Sequence, residues 1–406
     1  MKIYLIAQKL SHSFSPLIHK RLADYSYELC ELEKEELEPF FKKREFDGLN
    51  VTVPYKTAVM QYLDEISPEA EEIGAVNTVV NCGGRLFGYN TDYHGFLYTV
   101  RRSGIKISGK KVVIIGNGGA SRPVRLACER LGAASTRIVT RAENTAEGIQ
   151  KYLDGEIIIN ATPVGMYPAT GVSPIKLENF KKCEAVFDLI YNPKNTKLIL
   201  DSKRLGIPHV NGMPMLVSQA KEASEYFTEK KLDESVVEAI IKELNHLTTN
   251  IVLVGMPGAG KTVVGRKISK KLGREFFDCD ELIAKKGKTP GEIISEEGEE
   301  AFRKIETEVL SEICKKSGVV IATGGGAVTV EENHDIINQN SFTVFINREI
   351  SLLPTKGRPL SQGKGAIEAL FKKRLPLYQS VCDIEIEAQD EIEKTADAVC
   401  KAFISE

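Results

Sequence analysis

The sequence has 406 residues, of which 42% are hydrophobic and 27% are charged, and its formal net charge is −2. This length is typical of two or three globular domains. The near-neutral charge indicates neither a nucleic-acid partner nor an anionic membrane surface, and we expect neither. The eight cysteines form no C-x-x-C pair, which argues against a zinc site and a disulfide framework. We therefore expect a cytoplasmic protein with reduced thiols.

Short β-branched runs alternate with helical patterns along the chain, which is typical of α/β folds with parallel sheets. The apolar run Met1–Leu10 predicts a first strand and not a signal peptide. Further buried strands are predicted at Lys111–Ile115, Arg137–Thr140, Ile157–Asn160, Ala185–Leu189, Asn250–Val254, Val319–Ala322 and Phe342–Ile346. An amphipathic helix is predicted over Asp233–Leu247, and a new strand and glycine-rich turn follow it at once. We therefore divide the chain into residues 1–247 and 249–406.

The first hundred residues carry short polar motifs between apolar runs. In HSFSP, Ser15 and Pro16 predict a helix start, as N-cap and first helical residue. Lys56 of NVTVPYK and Asp92 of GYNTD, taken alone, would be interpreted as members of a surface salt bridge. A lysine beside an aspartate is also able to hold and donate a proton, as general acid–base catalysis requires. The residues alone leave both interpretations open.

A glycine-rich turn follows the predicted strand at 111–115 and opens a helix. Its sequence, Gly116-Asn-Gly118-Gly119-Ala120-Ser121, has the spacing that places a dinucleotide pyrophosphate at a helix N-terminus. Arg141 follows roughly 20 residues later, where an acidic residue would accept the ribose 2′-hydroxyl of NAD. Arginine there favours the 2′-phosphate of NADP. We therefore predict NADPH/NADP as a cofactor, held by Gly116, Gly118, Gly119, Ala120 and Arg141.

The motifs of the first half, taken together from about Ile3 to Leu244, resemble those of shikimate dehydrogenases. They are HSFSP, NVTVPYK, GAVNT, GYNTD, INATPVGM, DLIYNP and NGMPMLVSQA. The resemblance implies a substrate domain of residues 1–98 and 219–247, a Rossmann-like NADP-binding domain of residues 99–218, and a site between them. It implies Lys56 and Asp92 as the catalytic pair. The substrate-binding residues that it implies are Ser13, Ser15, Thr52, Asn77, Asp92, Tyr191 and Gln219.

The predicted strand at 250–254 leads into Gly255-Met-Pro-Gly-Ala-Gly-Lys261-Thr262, which matches G-x-x-x-x-G-K-[ST] between a strand and a helix. In this motif the backbone N–H groups wrap phosphates and the lysine reaches the β- and γ-phosphates. The hydroxyl of the last residue ligates Mg²⁺. We therefore predict ATP and Mg²⁺ as ligands, with Gly258, Ala259, Gly260, Lys261 and Thr262 around the nucleotide.

The residues after this loop form an ordered series that resembles shikimate kinases from Asn250 to about Ala402. The series comprises Asp278-Cys279-Asp280, GEEAFRKIE with Arg303 and Glu306, TGGGA with Gly324–Gly326, GRPL with Arg358, and KKRLPLY with Arg374. Each member alone is ordinary, because a D-x-D is usually a solvated turn and a lone arginine is usually a surface charge. The resemblance implies a small P-loop domain, similar to nucleoside monophosphate kinases, with a five-stranded parallel sheet and a mobile lid.

Roles in the second half follow from the same resemblance. Asp280 and Lys261 are expected to be catalytic, and Thr262 and Asp278 to hold the metal. Arg358 is expected to close over the phosphates from the lid. Arginine suits bidentate binding of a carboxylate, and the expected shikimate-binding residues are Asp280, Arg303, Gly325 and Arg374.

Both halves together predict a bifunctional enzyme of the shikimate pathway, which leads to aromatic amino acids. It would reduce 3-dehydroshikimate to shikimate with NADPH and then phosphorylate shikimate to shikimate 3-phosphate with ATP and Mg²⁺. Fusion of consecutive steps also raises the hypothesis that shikimate is transferred between the two sites.

Three departures from the family patterns qualify these expectations. The stretch Ser351–Gly357 before GRPL is short and has no arginine, and Lys356 offers only a point charge in its place. A weaker ATP affinity or a slower kinase step is therefore expected. The first half lacks a Gly-x-Pro before HSFSP, and Thr140-Arg141-Ala142 replaces Asn-Arg-Thr. The latter change removes two polar side chains near the 2′-phosphate.

Four alternatives remain open at the level of sequence. A quinate/shikimate dehydrogenase that uses NAD is disfavoured by Arg141. A kinase half that only binds nucleotide as a regulatory module is disfavoured by the intact Lys261 and Asp280. A non-catalytic scaffold is disfavoured by the presence of Lys56 and Asp92. A gluconate-type kinase also binds a carboxylate, so a comparison of both substrates would be needed to exclude it.

Overall fold

The structure is a computed structural model that describes residues 1–10, 13–353 and 365–405. The chain folds into two compact units. The first contains Met1–Met166, Val172–Tyr191 and Asp201–Glu243. The second contains Leu244–Glu406 and two short segments from earlier in the chain, Tyr167–Gly171 and Asn192–Leu200. Within the described ranges, no helix has the length and hydropathy that a bilayer crossing requires.

The first unit begins with a mixed sheet. Its elements are β1 (Lys2–Ala7), α1 (Ser15–Leu22), β2 (Ser26–Glu31), α2 (Leu37–Lys43), β3 (Gly48–Val51), β4 (Glu65–Ile66), α3 (Pro68–Ile73), β5 (Thr78–Cys82), β6 (Arg85–Tyr89) and α4 (Thr91–Ser103). The strand order is β2-β1-β3-β5-β6-β4, and β5 is antiparallel to both β3 and β6. Gly83 and Gly84, with φ of 59° and 91°, make the two-residue turn between β5 and β6. Such turns require positive φ and produce a hairpin, which the general expectation of parallel sheets did not include.

A second, wholly parallel sheet follows in the same unit. Its region comprises β7 (Lys111–Ile115), α5 (Ser121–Arg130), β8 (Ser135–Val139), β9 (Ile157–Asn160), β10 (Ala185–Asp188), β11 (His209–Val210) and α7 (Met213–Thr228). Two further helices, α6 (Lys197–Arg204) and α8 (Ser235–Thr248), belong to it only in part, since residues 197–200 and 244–248 are in the second unit. The strand order is β11-β10-β9-β7-β8. The inner strands β7 and β9 are almost entirely buried and apolar, as expected when helices cover both faces of a sheet. This confirms the predicted Rossmann-like architecture.

Helix α7 lies directly against α4. A Cβ atom at Gly95 of α4 would stand 2.8 Å from the carbonyl oxygen of Met215 and 3.0 Å from Cβ of Gln219. Only a residue without a side chain permits this approach of the two backbones. Phe227, further along α7, packs over Gly48 of β3 in the same way. These contacts hold Gln219 beside the first turn of α4, where Asp92 lies.

The second unit contains the third sheet. Its elements are β12 (Asn250–Val254), α9 (Lys261–Leu272), β13 (Phe276–Asp278), α10 (Cys279–Ala284), α11 (Pro290–Glu297), α12 (Glu299–Cys314), β14 (Val320–Ala322), α13 (Glu331–Asn338), β15 (Ser341–Asn347), α14 (Ala366–Val381), β16 (Ile384–Glu387) and α15 (Ile392–Ser405). The strand order is β13-β14-β12-β15-β16 and every pairing is parallel. The expected five-stranded parallel sheet is therefore confirmed. The carboxyl ends of β12, β13 and β14 meet at one edge, where the glycine-rich loops begin.

Asn250 secures the start of the central strand β12. Its buried side chain accepts a hydrogen bond from the Val319 amide at 3.0 Å and donates to the carbonyl of Lys316 at 2.7 Å. Asn250→Ala would leave both backbone groups without these partners inside the core. We expect a loss of about 1–3 kcal/mol in the stability of this unit, measured as faster hydrogen exchange of the β12 amides.

Asn347→Ala is the matched control, because the Asn347 amide makes a solvent-exposed hydrogen bond to Glu385 at 2.8 Å. Its effect should stay within about 0.5 kcal/mol. Equal exchange rates in the two variants would contradict the role given to Asn250.

Candidate active sites

An ion pair lies at the edge of the first sheet, between the turn after β3 and the first turn of α4. The Nζ atom of Lys56 stands 2.5 Å from Oδ2 of Asp92, and only 14% and 11% of the two side chains are exposed. Two charges that are partly removed from water attract each other more strongly than an exposed pair does. The pair is thus fixed in a geometry from which the lysine is able to donate a proton.

A buried hydrogen-bond network surrounds this pair. The backbone N–H of Thr91 donates to Oδ1 of Asn77 at 2.7 Å, and the Thr91 hydroxyl lies 3.2 Å from Oε1 of Gln219. Thr91 directly precedes Asp92, so the network sets the position of that carboxylate as well. The structure therefore brings together four residues that are far apart in the sequence: Asn77, Asp92, Gln219 and Lys56. Thr91 had no role assigned from sequence, although the GYNTD motif contains it.

The serine motif lies at the start of α1. The helix begins at Ser15 itself and Pro16 is its second residue, so the prediction of Ser15 as the N-cap is wrong by one position. The Ser15 N–H donates to Oγ of Ser13 at 3.2 Å. The ring of Phe14 packs against the ring of Tyr191 with centroids 5.6 Å apart. Tyr191 therefore lies beside the serine motif.

Thr52 follows β3 at the same edge of the first sheet. Its backbone N–H donates to the carbonyl of Ile6 at 3.1 Å, and its own carbonyl accepts from Tyr55 at 2.9 Å. These bonds form the turn that carries the chain from β3 to Lys56. Thr52 is thereby held between the end of β1 and the lysine.

The glycine-rich turn after β7 fits a dinucleotide. Gly116 has φ of +102°, and a Cβ there would stand 2.7 Å from Cγ2 of Thr162. A Cβ at Gly118 would meet no described atom within 4 Å, which leaves space for a pyrophosphate against the backbone. Ala120 is the N-cap of α5, so the N-terminus of that helix faces the same space. A Cβ at Gly119 would stand 3.6 Å from Cδ of Lys56, and the turn therefore borders the ion pair.

Arg141 stands just beyond the end of β8 and is exposed. Its position after the strand is the one from which a 2′-phosphate is read. Two residues later, Glu143 accepts a hydrogen bond from the Thr140 hydroxyl at 2.8 Å. Lys151, together with Thr140 and Tyr152, lowers the pKa of Glu143 to about 2. Glu143 had no role assigned from the sequence.

In the second unit, the loop after β12 encloses Lys261. The loop backbone adopts positive φ at Gly255, Gly258 and Gly260, with values of 147°, 86° and 98°. The Lys261 ammonium donates to the carbonyls of Gly255 at 2.8 Å and Met256 at 3.0 Å. Ala259 is buried beneath the loop. The loop thus has the glycine-dependent conformation that turns backbone N–H groups toward a phosphate.

The side-chain oxygens of Thr262 and Asp278, the predicted metal ligands, lie next to each other at the start of α9 and the end of β13. The Thr262 hydroxyl donates to Oδ2 of Asp278 at 2.6 Å. The other carboxylate oxygen, Oδ1, caps α10 by accepting from the Glu281 N–H at 3.2 Å. A hydroxyl and a carboxylate beside a phosphate loop fit Mg²⁺, which takes few protein ligands and completes its shell with phosphate and water.

Two arginines, the buried Arg374 and the largely buried Arg303, converge on the glycine loop after β14. Arg374 donates from Nη1 to the carbonyl of Gly325 at 3.1 Å. A Cβ at Gly326 would collide with the guanidinium of Arg303, and a Cβ at Gly324 would stand 3.2 Å from Oδ1 of Asp280. The structure therefore brings together Arg303, Arg374, Gly325 and Asp280. The Nε atoms of both arginines are buried without a hydrogen-bond partner among the described residues, which suits a site for an anionic ligand.

Glu306 lies beneath these arginines and is fully buried. Its Oε2 accepts from Arg303 Nη1 at 2.6 Å, while Oε1 has no hydrogen-bond partner within the described part of the chain. Burial raises the pKa of Glu306, and the neighbouring Arg303 opposes that shift. The FRKIE motif contains this residue, but its position beneath the arginines was not predictable from its spacing.

A cavity of about 890 Å³ opens at the carboxyl ends of β15 and β16. Arg348, Phe371 and Lys394 are among its lining residues. Its volume falls in the range of small-molecule sites, and no sequence motif indicated it. Lys356 and Arg358 of the expected lid lie outside the described residues, so the expectations for them stay predictions.

Two family models match the chain. The model of the shikimate dehydrogenase substrate-binding domain matches residues 5–79, and the shikimate kinase model matches residues 257–404. A shikimate dehydrogenase (NADP(+)) of Caldanaerobacter subterraneus subsp. tengcongensis is 38% identical over 261 residues, which cover 57% of this chain and 93% of the relative.

Two crystal structures are similar to the first part of the chain. A chorismate mutase/shikimate 5-dehydrogenase fusion from Clostridium acetobutylicum has a TM-score of 0.55 at 38% identity, and the match covers 60% of this chain and 97% of that one. Shikimate 5-dehydrogenase from Thermus thermophilus, in complex with NADP(H) and shikimate, has a TM-score of 0.54 at 32% identity, with coverages of 59% and 98%. Over its first part the chain belongs to the shikimate dehydrogenase family, and residues 257–404 form a shikimate kinase domain.

Proposed function

We propose that the chain catalyses two reactions on the same intermediate. Its first part reduces 3-dehydroshikimate to shikimate with NADPH. Its kinase domain then phosphorylates shikimate to shikimate 3-phosphate with ATP and Mg²⁺. The observation that carries the first reaction is the partly buried Lys56–Asp92 pair, which borders the dinucleotide turn at Gly119. For the second reaction, it is the convergence of Arg303 and Arg374 on the glycine loop beside the phosphate loop.

In the reduction, bound NADPH supplies the hydride, and the protein supplies the proton and the orientation. Lys56 donates its proton to the carbonyl oxygen of the substrate as that oxygen gains negative charge. Asp92 holds the lysine in position and stabilises its charged form. The hydroxyls of Ser13 and Ser15 bind the substrate carboxylate, while Asn77 and Gln219 bind the ring hydroxyls. With these contacts, the site around the acid–base pair would bind a small acid that carries several hydroxyl groups.

In the phosphorylation, charge neutralisation and positioning contribute more than covalent catalysis. Arg303 and Arg374 hold the shikimate carboxylate, and Asp280 orients the attacking hydroxyl. Lys261 neutralises the transferred phosphoryl group, and Thr262 with Asp278 would hold Mg²⁺. Glu306 keeps Arg303 in place through their hydrogen bond. The cavity beside β15 and β16 offers room for the nucleoside.

Lys56→Ala tests the assignment of the proton donor. Its loss removes an acid–base group, so we expect the dehydrogenase kcat to fall by about 10²-fold or more, with little change in KM. Shikimate phosphorylation by the same protein should be unchanged, which serves as a control for folding. Lys42→Ala removes an exposed lysine of α2 and should leave both activities intact. A near-normal kcat in Lys56→Ala would remove Lys56 from this role.

Arg141→Ala tests whether Arg141 binds the 2′-phosphate of NADPH. A charge-assisted hydrogen bond contributes about 1.5–3 kcal/mol, so kcat/KM for NADPH should fall by at least about tenfold. The value for NADH should change little. Arg125→Ala, on the exposed face of α5, is the control. An equal loss with both cofactors would assign Arg141 a structural role instead.

Arg374→Lys tests the carboxylate clamp in the kinase domain. Lysine keeps the charge but loses the planar pair of donors, so KM for shikimate should rise by about tenfold or more while KM for ATP stays the same. The neighbouring exposed substitution Lys373→Arg should change neither constant. A rise in the KM for ATP alone would place Arg374 at the nucleotide and not at shikimate.

A further inference from the structure

The turn after β8 contains a carboxylate that is already held by four donors. Oε2 of Glu143 accepts from the Thr140 N–H at 3.2 Å and from the Thr140 hydroxyl at 2.8 Å. Oε1 accepts from Nζ of Lys151 at 2.6 Å and from the Tyr152 hydroxyl at 3.1 Å. Thr140 and Glu143 follow the S/T-x-x-E pattern, in which the glutamate side chain satisfies the first backbone N–H of a turn. One role of Glu143 is therefore to shape this turn.

The location of the Glu143 carboxylate also matters for the binding of a dinucleotide. In dinucleotide-binding folds, the residues that follow this strand read the 2′ position of the adenosine ribose. The Thr140 N–H and the Lys151 ammonium are donors that suit an anion, and Glu143 occupies both. Because Lys151 first, and then Thr140, lower the pKa of Glu143 to about 2, the carboxylate is charged at neutral pH. A 2′-phosphate that approaches Arg141 therefore meets a carboxylate that already neutralises Lys151 and occupies the Thr140 N–H, so neither donor is available to the phosphate.

The uncharged 2′-hydroxyl of NAD(H) would interact with this turn differently. It carries no charge for Glu143 to repel, and it does not depend on the anion-binding donors that Glu143 occupies. Arg141 and Glu143 therefore act in opposite directions on the choice between the two cofactors.

We propose that Glu143 is a specificity-determining residue whose negative charge lowers the preference of this chain for NADP(H) over NAD(H). The proposal rests on the proposed function in one respect, since it places the dinucleotide at the turn after β7. It concerns the cofactor alone and requires no particular substrate.

Glu143→Gln separates the charge from the turn, because glutamine satisfies the same backbone N–H. The dissociation constants of NADP⁺ and NAD⁺ are measured by calorimetry on the full chain. We expect the ratio of affinities to shift roughly fivefold toward NADP⁺, the size of one partly screened charge interaction. The shift should shrink at about 0.5 M salt, where charges are screened within a few ångströms. Glu143→Ala, a second neutral variant, should shift the ratio in the same direction.

Glu129→Gln is the matched control, because this exposed carboxylate lies at the C-terminal end of α5, away from the dinucleotide turn. Its affinity ratio should equal that of the unaltered chain. An unchanged ratio in both Glu143 variants, or equal weakening of both cofactors, would overturn the proposal and leave Glu143 only its role in the turn. A chain that binds both cofactors but does not reduce 3-dehydroshikimate would contradict the proposed function, while the affinity ratios would still decide the role of Glu143.

Discussion

Parallel strands end at a common edge of their sheet, and the proposed nucleotide sites of this chain depend on that constraint. The turn after β7 and the turn after β8 offer the two ends of one dinucleotide site, from Gly116 to Arg141. In the kinase domain, β12 leads into the phosphate loop and its sheet neighbour β14 leads into Gly324–Gly326. The connections between parallel strands return each strand to the same direction. Residues that are far apart in sequence are thereby brought to one edge of each sheet.

The strands that the sequence predicted best are the buried ones. Predicted and observed bounds agree at both ends for Lys111–Ile115, Ile157–Asn160 and Asn250–Val254, since a strand covered on both faces is a continuous apolar run. The half-exposed β2 and the two-residue β4 escaped prediction. Their side chains carry no clear alternation, and their pairing partners are set by tertiary contacts.

The site residues also differ in how well the sequence predicted their roles. Glycine turns and basic residues at fixed spacings indicated which chemistry to expect, and the structure places Lys56 against Asp92 and Arg374 against Gly325. Spacing carries no information on burial or on the choice of partner. Glu306 and Glu143 therefore received no role from the sequence, although both carboxylates hold a cation of their site. The fully buried Glu306 requires such a partner because separation of its charge from water is unfavourable.

The two candidate sites handle charge in different ways. The first candidate site pairs one lysine with one aspartate, and the proposed function makes that lysine the proton donor. The kinase domain brings Arg303 and Arg374 to the glycine loop after β14, with Glu306 paired to Arg303, and it holds Lys261 in the phosphate loop. The proposed function requires both environments to accept one ligand, shikimate, which carries ring hydroxyls and a carboxylate.

The most direct test follows one reaction mixture. The purified chain is incubated with 3-dehydroshikimate, NADPH, Mg²⁺ and ATP, and both NADPH loss and the phosphorylated product are measured over time. The two-enzyme account predicts that NADPH is consumed and that shikimate 3-phosphate accumulates. Consumption of NADPH with shikimate as the final product would contradict the catalytic role of the kinase domain, and an absence of NADPH consumption would contradict the dehydrogenase assignment.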